Sequence, residues 1–564
     1  MITFVIKLQL MKPISFTSGK VLWRYSLILA MLTYLVGMMV TVMEIDGAVY
    51  AEISREMYES GNWMELYLKG QDWLDKPHFQ FWATATSFNV FGPGSFAYKL
   101  PAVLFTLIGL YYVFLFCRRF YSDKHGYLAV LLLASAQHII TSNSDVRAEP
   151  YLTGLTIVSL YYLAVYLEDK KWSQLVLGAL AMALLLMTKG LFSIIPTASG
   201  IGLALLFRRK WKEIVHWQWL AIAGLTFIFL IPTLYGYYVQ FDAQPEKEVF
   251  GMTNVSGIKF FFWDSQWGRF TNTGPIKGAG DPTFFLHTML WAYMPWAFLA
   301  YFALADKAKA LIKGEVTGES YTFFGFLFLF IVFCFSSFQL PHYLNALFPF
   351  LSILSADCLI RFARNKRFVD VFFHIHVWSS LLLLIAIVSV HFIFSEQYPA
   401  VDMVLVFILG LALILVLLRQ KIGRFKKLLF IPAITILTVN YYINRHFYPE
   451  LLKYQAESEV AFYLQDQGLN SEALVALGLR EEMTSFLLER IVPMVDLESA
   501  SQRDLTGAYV FTNLAGKEKI AELGMQYEQI ESFQDFRITT LNGTFINKKT
   551  RAQEVESKFL LKVE

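Results

Sequence analysis

Apolar and polar positions along this chain alternate on a long scale, with nearly uncharged runs bounded by short polar links. The first run covers about 25–43. Others follow at about 98–117, 126–142, 151–167, 173–189, 191–207, 217–238, 284–304, 320–337, 342–360, 370–394, 401–418 and 428–444. A helix needs roughly 20 apolar residues to cross the hydrocarbon core of a bilayer. The pattern therefore predicts a polytopic α-helical membrane protein with about thirteen transmembrane helices. After about 445 it changes. Amphipathic helical spacing over 455–467, 481–489 and 516–523 alternates with short β-type runs at Ala473–Leu479, Ile491–Val495, Ala508–Thr512 and Phe536–Leu541. This predicts a membrane domain over 1–444 followed by a small soluble α/β domain over 445–564, with no internal repeat.

Composition agrees. Of 564 residues, 56% are hydrophobic and 16% charged, far from the quarter charged of an ordinary soluble domain. The net charge of +3 gives no case for a nucleic-acid partner. Cys117, Cys334 and Cys358 lie in or beside apolar runs without metal or disulfide spacing and read as packing residues. Charge distribution says more than its sum. Alternate links carry Arg118-Arg119-Lys124, Lys170-Lys171, Arg208-Arg209-Lys210-Lys212, Lys307-Lys309-Lys313, Arg361-Arg364-Lys366-Arg367 and Arg419-Lys421-Arg424-Lys426-Lys427. The links around 338–341 and 395–400 carry none. By the positive-inside rule the N-terminus, with Lys7, Lys12, Lys20 and Arg24, is expected in the cytoplasm. No small-x-small cleavage pattern follows the first run, so it reads as a retained helix. The loops 44–97 and 239–283 and the tail then fall on the outer side.

Charges beside spans cost about 2.5–3.5 kcal/mol at a helix centre, so those that persist are informative. Here Asp46, Asp75, Lys76, Asp145, Arg147, Glu149, Lys189, Arg269 and His342 all fall at outer ends or in outer loops. A single polar cavity opening outward explains that one-sidedness. Each also has a plainer use. Asp46 could cap a helix, Lys76 could snorkel, and Arg147 could pair with Glu149 or Asp145. Lys189 could flank its span, and His342 could be an interface histidine. The 239–283 loop, rich in Gly, Asp and aromatics, is long enough to serve as a lid or as a bare connector.

Five segments in order resemble the GT-C polyprenyl-phosphate-sugar glycosyltransferases, the superfamily of lipid A aminoarabinose transferases and protein O-mannosyltransferases. They are Asp46–Met57 (DGAVYAEISREM), Asp75-Lys76-Pro77 with Phe79 and Trp82, Arg147–Leu152 (RAEPYL), Met187–Pro196 (MTKGLFSIIP) and Gln339–Pro349 (QLPHYLNALFP). Pro295-Trp296 fits a further landmark. Gly47, Val49, His78 and Gln339 depart from the pattern.

The resemblance implies a GT-C fold and transfer of a sugar, with inversion, from a polyprenyl-phosphate carrier to a hydroxyl of lipid A, another glycan or a protein. Asp46 is the expected base or acceptor-orienting acid. Lys76 and Arg269 are expected on the carrier phosphate, with Lys189 and Arg147 as second choices. Asp75, Glu149, Glu52, Arg55, His342 and Tyr343 are expected to support them. A divalent ion is left open, with Asp75 and His287 as its candidate ligands. The expected setting is a monomer in a bacterial inner membrane, with loop 44–97 as the first catalytic loop. A flippase for a lipid-linked sugar is the competing class. Such proteins place their site near the midplane between repeated halves, and this chain shows neither. A non-catalytic scaffold is the third.

Overall fold

The computed structural model describes residues 19–249, 251–271, 278–315, 318–396, 401–419 and 422–564. Lys7 and Lys12 lie outside them, as does Lys421. Every apolar run predicted to span is helical. Eight helices among the described residues are long and apolar enough to cross a membrane, including Val21–Met39, Ser95–Phe120, Glu149–Asp169 and Trp172–Lys189. Three more, Leu191–Phe207, Tyr321–Cys334 and Gly410–Arg419, are apolar but shorter. The chain has the helices of a multi-pass membrane protein.

The count of thirteen spans is not confirmed: besides the three shorter helices, two expected spans are broken. The 126–142 run divides into Asp123–Ala134 and Gln137–Ser144. At the break Gln137 N–H leaves the helical ladder and donates to Met294 C=O at 2.9 Å. The 284–304 run divides into Phe284–Ala292 and Ala297–Ile312 around Pro295, which has no N–H to give. The two breaks thus meet at one hydrogen bond. Beside them Trp296 is fully buried and its indole N–H donates to Ser135 Oγ at 3.1 Å.

Glu149–Asp169 lies against Trp172–Lys189, its antiparallel neighbour, and against Ser95–Phe120, which runs parallel to it. Close approach explains two glycines there: a Cβ on Gly154 would stand 2.2 Å from Phe105 C=O, and one on Gly109 would stand 3.0 Å from Gly154 Cα. This pairing puts Glu149 and Lys189 on one face. Arg119, paired with Glu168 at 2.9 Å and Asp169 at 2.6 Å, lies on the other.

On the Glu149 face the chain leaves the first span (Gly19–Met39) through a strap, residues 40–45, into a loop helix, Asp46–Ser60. A two-stranded hairpin follows, Tyr67–Leu68 against Gln71–Asp72. Its turn residues Lys69 and Gly70 both have positive φ (58° and 71°), the conformation that tight hairpins require. The Glu56 carboxylate accepts both turn N–H groups.

The tail forms a five-stranded sheet in the order Met494–Val495, Leu474–Leu477, Tyr509–Thr512, Glu556–Val563 and Tyr527–Asp535. The first three strands are parallel and the last two pair antiparallel. Helices Ala456–Asp466, Glu482–Leu487 and Leu514–Glu522 occur where expected. The predicted strand at Phe536–Leu541 does not form. Ile538–Thr540 is a short 3-10 turn, and the pairing is carried by Tyr527–Asp535, whose largely exposed residues gave a weak apolar signal. In the 239–283 loop, residues 238–242 and 257–271 are helical where no secondary structure was expected.

Candidate active site

The loop helix begins at Asp46, and its N-cap position is Ile45, which supplies no side-chain cap. The Asp46 carboxylate is instead committed to an arginine: Arg147 Nη1 donates to Asp46 Oδ2 at 2.8 Å. The same guanidinium holds Asp145 Oδ2 through Nη2 at 3.3 Å. Arg147 thus pairs with Asp46 and Asp145 and not with Glu149. A two-armed fork of this kind fixes direction as well as distance.

Two residues on, Glu149 opens its span with a side chain only 3% exposed. It pairs with Lys189, the last residue of the next span, and lies 3.6 Å from His342 Nε2. Lys189 Nζ sits 4.2 Å from the Tyr343 ring centroid. A lysine at a helix C-terminus is favoured by the helix dipole, and Gly190 then turns the chain away with φ 77°. A Cβ on Gly190 would stand 2.4 Å from Gln266 Nε2, the movable end of a side chain, so it is the positive φ that calls for glycine here.

Lys189 and Tyr343 line a cavity of about 80 Å³ with Leu329, Phe333, Ser265 and Gln266. Its walls are mostly apolar, and among the described residues Lys189 is the one charged group that lines it. That is the arrangement for an anion attached to a hydrocarbon chain.

The two groups share one field. Tyr50, on the loop helix, feels Asp46, Asp75, Arg147 and Glu149; burial foremost and then these carboxylates push its hydroxyl well above the ordinary tyrosine range. It remains a proton donor. Lys76 Nζ holds Asp75 Oδ2 at 2.7 Å, so the lysine is partnered and not simply reaching for the interface.

The family described as dolichyl-phosphate-mannose-protein mannosyltransferase matches residues 75–235. The chain is 26% identical to an undecaprenyl phosphate-alpha-4-amino-4-deoxy-L-arabinose arabinosyl transferase of Edwardsiella ictaluri, over 56% of this chain and 55% of that one. A protein of the same description from Pseudomonas fluorescens is 24% identical over 66% of this chain and 63% of its own length. The matched stretches thus span little more than half of these relatives. In three dimensions the chain overlays ArnT of Cupriavidus metallidurans, solved bound to undecaprenyl phosphate, with a TM-score of 0.72 at 18% identity. That overlay covers 91% of this chain and 96% of the other. The overlay shows that the chain shares that protein's fold.

Within that fold some expected site residues stand apart. Glu52 and Arg55 do not support the cavity. Arg55 Nε reaches Glu52 Oε2 at 2.8 Å and Nη2 reaches Oε1 at 2.5 Å, with Nη1 on Glu59, so the pair closes on itself inside the loop helix. Both are fully buried, and their i, i+3 spacing is the physical reason: it places them together on one flank. The Arg269 side chain lies outside the described residues. Among the described residues no three His, Cys, Asp or Glu side chains are grouped to hold a metal. His287 is exposed, packed on Phe284, and Asp75 is taken by Lys76. Each of the two candidate ligands thus has another neighbour in the structure.

The sequence did not mark Tyr50 or Lys99 as functional. Lys99 is fully buried near the start of its span, donating to Val40 C=O at 2.7 Å and to Gly37 and Thr41 C=O at 3.4 Å. It caps the end of the first span. The only hint in the sequence was a lone lysine within an apolar run.

Proposed function

We propose that this GT-C protein transfers a sugar from a polyprenyl-phosphate carrier to an acceptor hydroxyl, with inversion, on the outer face of a bacterial inner membrane. The supporting observation is the apolar cavity with Lys189 at its wall, paired to Glu149, which lies two residues along the chain from Arg147, the partner of the Asp46 carboxylate. In this reading the carrier phosphate meets Lys189, with Lys76 as a second cation, and its hydrocarbon lies along the apolar wall. Asp46 takes the proton of the acceptor hydroxyl. The oxygen attacks the anomeric carbon from the face opposite the phosphate, the carbon–phosphate oxygen bond breaks, and the phosphate leaves with the electron pair. The cations stabilise the charge that develops on it. The acceptor is a lipid, glycan or protein hydroxyl.

Ser265 and Gln266 line the cavity from the 239–283 segment, which supports reading that segment as a cover over the donor. The basic links lie on the opposite face, which supports a cytoplasmic N-terminus and a periplasmic tail. The relatives' names and the bound undecaprenyl phosphate of the overlaid structure favour this reading over a flippase.

The test supplies purified protein with a radiolabelled polyprenyl-phosphate sugar in vesicles and bacterial envelope acceptors. Transfer of label to the acceptor supports the proposal. Movement of the intact donor across the bilayer without transfer would make the chain a flippase, and neither would make it a scaffold.

A further inference from the structure

Asp46 hangs on a short stretch of irregular backbone, the strap over 40–45, and irregular backbone must find its hydrogen bonds outside itself. On the membrane side, Lys99 takes the carbonyls of Val40 and Thr41, and Ser95 Oγ accepts from Val42 N–H at 3.2 Å. On the other side the partners come from the C-terminal domain, more than four hundred residues away. Gln455 Nε2 donates to Val42 C=O at 3.2 Å, and its Oε1 accepts from Glu44 N–H at 2.8 Å. Glu44 Oε1 in turn accepts from Ile538 N–H at 2.9 Å.

Gln455 is 1% exposed and also donates to Ser458 Oγ, so its amide is held in place before it meets the strap. The chemistry is selective. Val42 C=O can only accept and Glu44 N–H can only donate, so the residue between them must offer one donor and one acceptor. A second tie lies further out. Lys69, at the tip of the hairpin, reaches Glu481 at 2.8 Å and Glu482 at 3.3 Å of the same domain. Phe486 packs on Phe88 with ring centroids 6.0 Å apart.

We propose that the C-terminal domain sets the position of Asp46, and that Gln455 is the positioning residue through which it does so. This rests on the reading of Asp46 as the base. Gln455 touches neither substrate nor reacting atoms. It fixes the backbone two residues before Asp46, so the carboxylate meets Arg147 and the acceptor at one defined place. A misplacement of about 1 Å at such a group can cost on the order of a hundredfold in rate.

The experiment uses full-length protein in detergent with a labelled polyprenyl-phosphate sugar. Turnover is expressed per carrier-binding site, so that a loss of folded protein does not count as a loss of rate. Gln455→Met keeps the length and removes both hydrogen bonds. Its kcat is expected to fall by roughly ten- to a hundredfold, with KM for the donor within about twofold of the parent. Gln455→Glu retains the acceptor for Glu44 N–H but, when ionised, sets a carboxylate against Val42 C=O. Its activity relative to the parent is expected to be higher at pH 5 than at pH 8. Unchanged kcat per binding site in Gln455→Met would overturn the proposal, as would a pure KM effect. Should that variant fail to fold, Gln455→Asn, which keeps the amide but draws it back from Val42 C=O and Glu44 N–H, is expected to show the same fall in kcat, and its normal turnover would overturn the proposal equally. Asp46→Ala run alongside separates the two readings. If it turns over, the base assignment is wrong; if it is inactive while Gln455→Met is normal, only the positioning role is lost.

Discussion

Lys189→Met is the perturbation whose consequences the structure fixes most tightly. Glu149 is 3% exposed and answered by two groups, Lys189 and the more distant His342. Removing the lysine leaves a buried carboxylate with one imidazole at 3.6 Å. Breaking a buried pair from one side costs about 3–5 kcal/mol, because the remaining charge is stranded, whereas removing both charges together is close to neutral. Lys189→Met alone is therefore expected to melt well below the parent in detergent. Lys189→Met with Glu149→Gln is expected to recover to within about 1 kcal/mol. Carrier binding separates structure from function. The double variant, though stable, is expected to bind undecaprenyl phosphate at least tenfold more weakly, since a charge-assisted hydrogen bond to phosphate is worth about 1.5–3 kcal/mol. A single variant as stable as the parent would refute the buried pair. A stable double variant binding carrier at parental strength would refute Lys189 as the phosphate ligand.

Two further outcomes follow from other parts of the molecule. Ser336→Trp places a bulky ring into the 80 Å³ cavity and is expected to raise KM for the donor at least tenfold while leaving thermal stability unchanged; unchanged KM would move the hydrocarbon elsewhere. In the C-terminal domain, burial and then the neighbouring Glu482 push the Glu457 carboxyl up to about 8 from an ordinary 4.5. The folded protein then holds a proton that the unfolded chain gives up. The stability contributed is full below pH 4.5 and lost as pH rises to about 8. Glu457→Gln should match the parent at pH 5 and melt higher at pH 8.5, and identical pH dependence would contradict this.

The spans were legible because a bilayer imposes one length and one composition, and the face of each charged end followed from alternation alone. The break at Ser135–Ala136 was not, because that stretch stays apolar and only a tertiary hydrogen bond, Gln137 to Met294, reveals it, whereas Pro295 was a breaker in plain view inside a run read as continuous. Asp46, Arg147, Glu149 and Lys189 were visible as charges the membrane should have excluded. Who pairs with whom was not visible: Arg147 and Glu149 stand two apart yet turn to different partners. Glu52 and Arg55 misled because a motif match says nothing about which flank of a helix faces the cavity. Gln455 could not be read at all. A neutral residue in a polar tail carries no signal until the fold lays it against Val42 and Glu44.

In the proposed reaction Asp46, held by Arg147, takes the acceptor proton. The most direct test of that role is single-turnover transfer from a labelled polyprenyl-phosphate sugar by Asp46→Ala, in protein shown to insert and bind carrier normally. The expected result is carrier bound and no label transferred. Transfer at a rate near the parent's would contradict it.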